Sequence, residues 1–129
     1  MSVDLLLDTH AVIWLVEGDE RIRGLLPLLD DDASTVWVSS VSWTEIAIKH
    51  TIGKLDLTVE AARPRLVASN VLDIAFDANH ALSLEQLPLH HADPFDRMLI
   101  AQALAEGMTI ATVDASFDGY DGLSVTWPT

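Results

Sequence analysis

The chain opens on an unbroken apolar run, Leu5-Leu6-Leu7, halted by Asp8-Thr9-His10 and followed by Ala11-Val12-Ile13-Trp14-Leu15-Val16 before Gly18. A short apolar run bounded by turn formers reads as a strand, then a turn, then a helix. Ile22 to Leu29 has the pattern of a second helix, and Thr35-Val36-Trp37-Val38-Ser39 carries the β-branched and aromatic enrichment of a second strand. Ser42-Trp43-Thr44-Glu45 has the form of a capping box, with Ile46, Ile48 and Ile52 continuing a helix that Gly53 closes. Thr58 to about Ser69 predicts another helix, bent at Pro64. A strand is expected at Val71 to Phe76 and a short helix from Asp77 to Leu84. Asp93-Pro94 is the clearest element boundary in the chain. Asp suits an N-cap, Pro suits the first helical position, and Phe95 to Ala105 continue as a helix until Gly107. Thr109 to Val113 then reads as a buried strand ending at Asp114, and Leu123 to Trp127 as a last short one.

Strands that alternate with helices predict an α/β fold with a mostly parallel central sheet flanked by helices. Parallel strands share a direction, so Asp8 and Asp114, each following an apolar strand, are expected at one carboxyl edge, where such sheets hold their ligands. Glu45, placed by the pattern in the first turn of the helix after the second strand, should reach the same edge. Asp96, in the first turn of the helix that opens at Asp93-Pro94, is a fourth candidate, although the segment from Leu84 to His91 leaves its position open. Each acid also has a plain structural role: Glu45 as the capping-box partner, Asp93 as a cap, Asp96 as a macrodipole or Arg97 partner, Asp8 and Asp114 as turn formers. Only as a set do they point to chemistry. Carboxylates gathered in one crevice raise one another's pKa unless a cation intervenes. An all-oxygen set suits Mg²⁺, held by one or two carboxylates with water and a substrate phosphate.

Composition sharpens this picture. At 129 residues, half of them hydrophobic, the chain has the length of one domain, 1–129, able to bury about two-thirds of its unfolded surface. It has no cysteine, which removes disulfides, thiolate metal sites and cysteine nucleophiles. The start lacks a basic signal-like region and no apolar run approaches the roughly 18 residues of a membrane span, so a cytoplasmic protein is expected. With 7 basic and 20 acidic residues the net charge is -13, which argues against purely electrostatic binding of nucleic acid.

Leu5-Leu6-Leu7-Asp8-Thr9-His10, Ser42-Trp43-Thr44-Glu45, Asp93-Pro94-Phe95-Asp96-Arg97-Met98-Leu99-Ile100-Ala101-Gln102-Ala103 and Thr112-Val113-Asp114 resemble, in order, the successive motifs of PIN-domain ribonucleases. The resemblance spans essentially the whole chain and extends to the VapC toxins of bacterial toxin–antitoxin modules. It implies a single PIN-like domain and a Mg²⁺-dependent endoribonuclease, with Mn²⁺ as a substitute. Asp8, Glu45, Asp96 and Asp114 would form the acidic catalytic metal site, Asp8 and Asp96 as the most direct ligands and Glu45 and Asp114 completing it or acting through water. Thr112 would be a supporting hydroxyl that positions a carboxylate or a water. The same resemblance implies a homodimer and a VapB-like antitoxin that blocks the site.

An RNA enzyme at -13 needs its few cations in the right place. Lys49, Lys54, Arg63 and Arg65 fall between positions 49 and 65 with only Asp56 and Glu60 for company, four basic against two acidic residues, a local charge of +2. That stretch is a candidate RNA-binding edge. The competing reading pairs Lys49 with Glu45 one helical turn back and leaves the others as surface charge. The acid surplus also suits a basic antitoxin segment. His90-His91 lacks a third ligand at a zinc spacing and reads as a polar loop. His10 reads as a helix-start residue or a substrate contact, and Trp14, Trp37, Trp43 and Trp127 read as core or interface residues, Trp43 also as a base-stacking candidate. Two other functions compete: a receiver-type Mg²⁺-binding signalling domain, and a catalytically idle PIN-like interaction module. The receiver pattern would require adjacent acids after the first strand and a Lys after the last, neither of which is present.

Overall fold

The computed structural model describes residues 3–128. Five strands, β1 (Val3–Leu7), β2 (Ser34–Ser39), β3 (Leu72–Ile74), β4 (Thr109–Ala111) and β5 (Ser124–Thr126), form one sheet in the order β3-β2-β1-β4-β5. Every neighbouring pair is parallel. Around the sheet lie α1 (Thr9–Glu17), α2 (Leu26–Leu29), α3 (Ser40–Thr51), α4 (Val59–Ala68), α5 (Ala78–Glu85) and α6 (Pro94–Glu106).

The alternation of β1 divides the core in two. Leu5 and Leu7 join Val12, Val38, Ile46 and Leu66 on the face covered by α1, α3 and α4. Leu6 points the other way, into a cluster with Leu99, Ile100, Ile110 and Phe117 under α6. A strand buried on both faces is why the run is continuously apolar rather than alternating. Leu6 has no solvent exposure, and Leu6→Ala should cost about 2–5 kcal/mol in urea or guanidinium unfolding.

Several boundaries differ from the sequence pattern. The stretch expected as one helix from Ile22 to Leu29 is a 3-10 helix, Glu20–Leu25, followed by the single-turn α2. Pro27 lacks the N–H that would continue the preceding turn, and Gly24 lies against the C-terminal segment, where a Cβ would stand 2.5 Å from the Pro128 carbonyl oxygen, so the segment is held in place by that packing. The capping box at Ser42 is absent: α3 begins at Ser40, Ser39 caps it by accepting the Val41 N–H, and Glu45 lies in the second turn. Ser42 instead accepts a hydrogen bond from the Thr9 hydroxyl at 3.0 Å, tying the starts of α1 and α3 together. Strand β3 is shorter than Val71 to Phe76 because the Phe76 N–H goes to the Ser40 hydroxyl and the Ala75 carbonyl accepts from Gln102. Strand β4 stops at Ala111, and the chain turns over the next three residues as the Asp114 N–H donates to the Thr112 hydroxyl oxygen. Pro64 lies inside α4.

Asp93 caps α6 by accepting the Asp96 N–H, Pro94 opens the helix, and Gly107 closes it at φ 69°. Of the described helices, none is long and apolar enough to cross a membrane.

Candidate acidic site at the switch point

The chain leaves β1 for β2 on one side of the sheet, while β4 packs on the other. The crevice beyond the carboxyl ends of β1 and β4 is therefore the switch point at which parallel α/β sheets bind ligands. Asp8 follows β1 directly and caps α1, its Oδ1 accepting the Ala11 N–H at 2.8 Å. Asp114 is the third residue after β4 and caps a 3-10 turn, its Oδ1 accepting the Ser116 N–H at 2.9 Å. Thr112 stands beside both: its hydroxyl oxygen accepts the Asp114 N–H, and its side chain favours the ionised form of Asp8.

The other two acids are borne on helices. Glu45 is 6% exposed on α3, and Asp96 sits in the first turn of α6. Asp96 feels Asp93, Glu45, Asp114 and Asp8 as like charges. Burial, then that repulsion, pushes its carboxyl up to about 7. Asp8 is also raised, mainly by burial, against the hydrogen bonds from Thr112 and Ala11. Asp114 moves the other way, held below the usual carboxylate range by its hydrogen bonds to Ser116, with His91 and His10 nearby. One crevice thus holds an acid poised near neutrality beside one that stays ionised.

Glu45 Oε2 pairs with Lys49 Nζ at 2.7 Å, yet Oε1 is buried with no partner. A buried oxygen left without a donor is costly and fits a site completed by a cation. Among the described residues, no three histidine or acidic side chains converge tightly enough to grip one ion directly. An ion held by one or two carboxylates through retained water fits this looser, all-oxygen arrangement better than a dehydrated cage.

The basic stretch is largely engaged in the fold. Lys49 is on Glu45, Arg63 pairs with Asp73 at 2.7 Å, and Arg65 donates to the Val16 carbonyl at 3.2 Å. Lys54 is exposed, with no side-chain bond among the described residues. Trp43 is buried and donates its indole N–H to Asp73, so its ring is not free to stack on a base.

The pattern of the sequence missed His91. It is not a solvated loop residue: its side chain is 15% exposed, Nδ1 lies 2.9 Å from the Tyr120 hydroxyl, and Nε2 faces Asp96 Oδ2 at 3.7 Å. His90 is exposed, its ring 4.7 Å from that of Tyr120. No local signal marks the difference, because the partner that selects His91 lies 29 residues further on.

Residues 5–123 match the family model of the PIN domain. No curated protein matches the chain by sequence. Among solved structures, the chain is similar to one in VapBC2 from Rickettsia felis bound to a promoter DNA fragment, at 19% identity and a TM-score of 0.73, covering 97% of this chain and 99% of that one. It is also similar to a chain of DNA-bound VapBC from Salmonella typhimurium, at 18% identity and a TM-score of 0.66, covering 96% and 97%. A chain of a toxin–antitoxin complex from Klebsiella pneumoniae gives 20% identity, a TM-score of 0.64, and coverage of 97% and 98%. With the family model spanning both switch-point strands and all four acids, the chain belongs to the PIN-domain family.

Proposed function

We infer that this chain is a Mg²⁺-dependent endoribonuclease, the toxin component of a VapBC-type toxin–antitoxin module. The observation that carries the reading is the convergence of Asp8, Glu45, Asp96 and Asp114 on the switch-point crevice of a PIN fold, with Asp96 pushed up to about 7. The similarity in fold to chains of toxin–antitoxin complexes supports the module. Strand order argues against the receiver alternative: that fold runs 2-1-3-4-5, with its third strand central, whereas β3 here is at the edge.

In this reading Asp8 and Asp96 would be the direct ligands, and Glu45 and Asp114 would complete the pocket or act through water. Mn²⁺ would substitute for Mg²⁺. An ion held there would supply charge neutralisation on a phosphodiester and activation of a water for its hydrolysis. Thr112 holds the turn that carries Asp114 and favours the ionised form of Asp8. Lys49, on the rim beside Glu45, and Lys54 beyond it present charge to the RNA backbone. Arg63 and Arg65, committed to Asp73 and Val16, contribute less. A homodimer, and a VapB-like antitoxin that covers the crevice, complete the proposal; the -13 charge suits a basic antitoxin segment.

The test is incubation of total bacterial RNA with the purified protein in Mg²⁺, in EDTA, and with Asp8→Asn in Mg²⁺. Discrete fragments are expected only with the unaltered protein and metal. Fragments that persist in EDTA or with Asp8→Asn, or no fragments under any condition, overturn the nuclease reading, the last in favour of an idle interaction module. Lys49→Ala combined with Lys54→Ala should weaken RNA binding and flatten its salt dependence by about one to two phosphate contacts, read from log Kd against log salt.

A further inference from the structure

We propose that His91, braced by Tyr120, is the positioning residue that orients the Asp96 carboxylate through its Nε2–H. The inference rests on the reading of Asp96 as a metal ligand and adds a group that the acidic set does not contain.

Three features of the imidazole point the same way. Its Nδ1 is 2.9 Å from the Tyr120 hydroxyl, and its ring packs between Tyr120 and Phe117, with centroids 5.8 and 5.9 Å away. Its Nε2 is fully buried and has no hydrogen-bond partner. The acid it faces is Asp96, whose Oδ2 lies 3.7 Å away. Tyr120, only 5% exposed, can serve Nδ1 either as donor or as acceptor. For a neutral imidazole, only one of these arrangements suits an ionised Asp96. If Nδ1 carried the proton, the bare lone pair of Nε2 would face a carboxylate, with repulsion in place of a bond. With the proton on Nε2 and the Tyr120 hydroxyl donating to Nδ1, every polar atom in the chain Tyr120–His91–Asp96 has a use. A swing of under an ångström by Asp96 closes 3.7 Å to hydrogen-bond length.

The consequence is directional. One Asp96 oxygen is engaged by His91 and the other is left toward Asp8, Glu45 and Asp114, the three acids whose charges it feels. Partners of this kind fix the orientation of a liganding carboxylate, and their loss lowers metal affinity by about 10- to 100-fold. Tyr120 and Phe117 pack against the ring and limit its movement.

The test compares His91→Gln with His91→Asn. The Gln amide nitrogen reaches the place of Nε2, whereas that of Asn reaches only the place of Nδ1, and both variants lose the ring packing equally. Mg²⁺ titration calorimetry, with melting temperatures as a folding control, should give His91→Asn about 10- to 100-fold weaker binding and His91→Gln an affinity within a few-fold of the unaltered protein. Tyr120→Phe should weaken binding in the same direction. Nitrogen-15 NMR of His91 at pH 8 without metal should show the proton on Nε2. Equal Mg²⁺ affinities for the Gln, Asn and unaltered proteins, or a proton on Nδ1, overturn the positioning role. An unaltered protein that takes up no Mg²⁺ overturns the reading of the metal site itself, and the inference falls with it.

Discussion

Asp96→Asn should melt at a higher temperature than the unaltered protein at pH 8 without divalent ions, while losing Mg²⁺-dependent RNA cleavage. Its carboxyl is pushed to about 7 by burial and by four neighbouring acids, so at pH 8 it is ionised against its surroundings. Asn keeps the shape and removes the charge. The helix does not suffer, because Asp93 caps α6 through the backbone N–H of residue 96 and takes nothing from its side chain. Solvent reaches about a quarter of the Asp96 side chain and screens part of the repulsion. The expected gain is therefore about 1–2 kcal/mol, or roughly 3–10 °C in Tm for a domain of this length. In the proposed nuclease the loss of activity should be larger: a ligand that holds the ion would contribute several kcal/mol to the transition state, about a thousandfold in rate. Thermal melts at pH 5 provide the control. There Asp96 is largely protonated in the folded chain, so the difference in Tm should fall to less than half, and it should vanish only below the ordinary carboxylate value. An equal gain at both pH values would trace the effect to packing rather than charge, and full activity would remove Asp96 from the site.

The way each acid is held also explains which parts of the candidate site could be read from the sequence. Asp8, Asp93 and Asp114 announce themselves because each ends or begins an element through contacts two or three residues away, and local contacts leave local patterns. Glu45 is legible as an acid near the edge, but not in its setting. Ser39, Ser40 and Ser42 are all competent caps, and the choice among them is made by distant partners. Strand pairing sets Leu6 against Trp37, Ser40 is taken by Phe76, and Ser42 by Thr9. The helix accordingly starts earlier than the capping-box pattern implies. The i to i+4 spacing of Glu45 and Lys49 does predict their pairing, whereas Arg63 finds Asp73 across a loop and a strand start. His91 is the extreme case, an unremarkable loop residue until Tyr120 arrives from beyond β4. Periodicity reports what a residue does within its own element. It is silent about side chains whose partners are fixed by topology.

The second large effect is on pH. Mg²⁺ affinity should climb steeply between pH 5 and about 7 and level off above it, and the protein without metal should lose stability over the same interval. Both follow from one carboxyl. Asp96 has a folded-state value of about 7 against an ordinary 3.8. Between those values the folded chain binds a proton that the unfolded chain has released, so stability falls as pH rises through this window. The advantage of the protonated form is fully present below the ordinary value and is lost above 7. Asp8, raised by burial, adds to the same trend, while Asp114, lowered by its bonds to Ser116, opposes it only at the acid end. For metal the sign reverses: a cation competes with the Asp96 proton, so binding below pH 7 releases a proton and binding above it does not. Calorimetry in two buffers of different ionisation enthalpy measures that proton directly. About one proton per ion is expected at pH 5.5, close to none at pH 8.5, and none at either pH for Asp96→Asn. A release that is the same at both pH values would place the ion away from Asp96. A release that persists in Asp96→Asn would move the titrating ligand to Asp8, the other acid that burial raises.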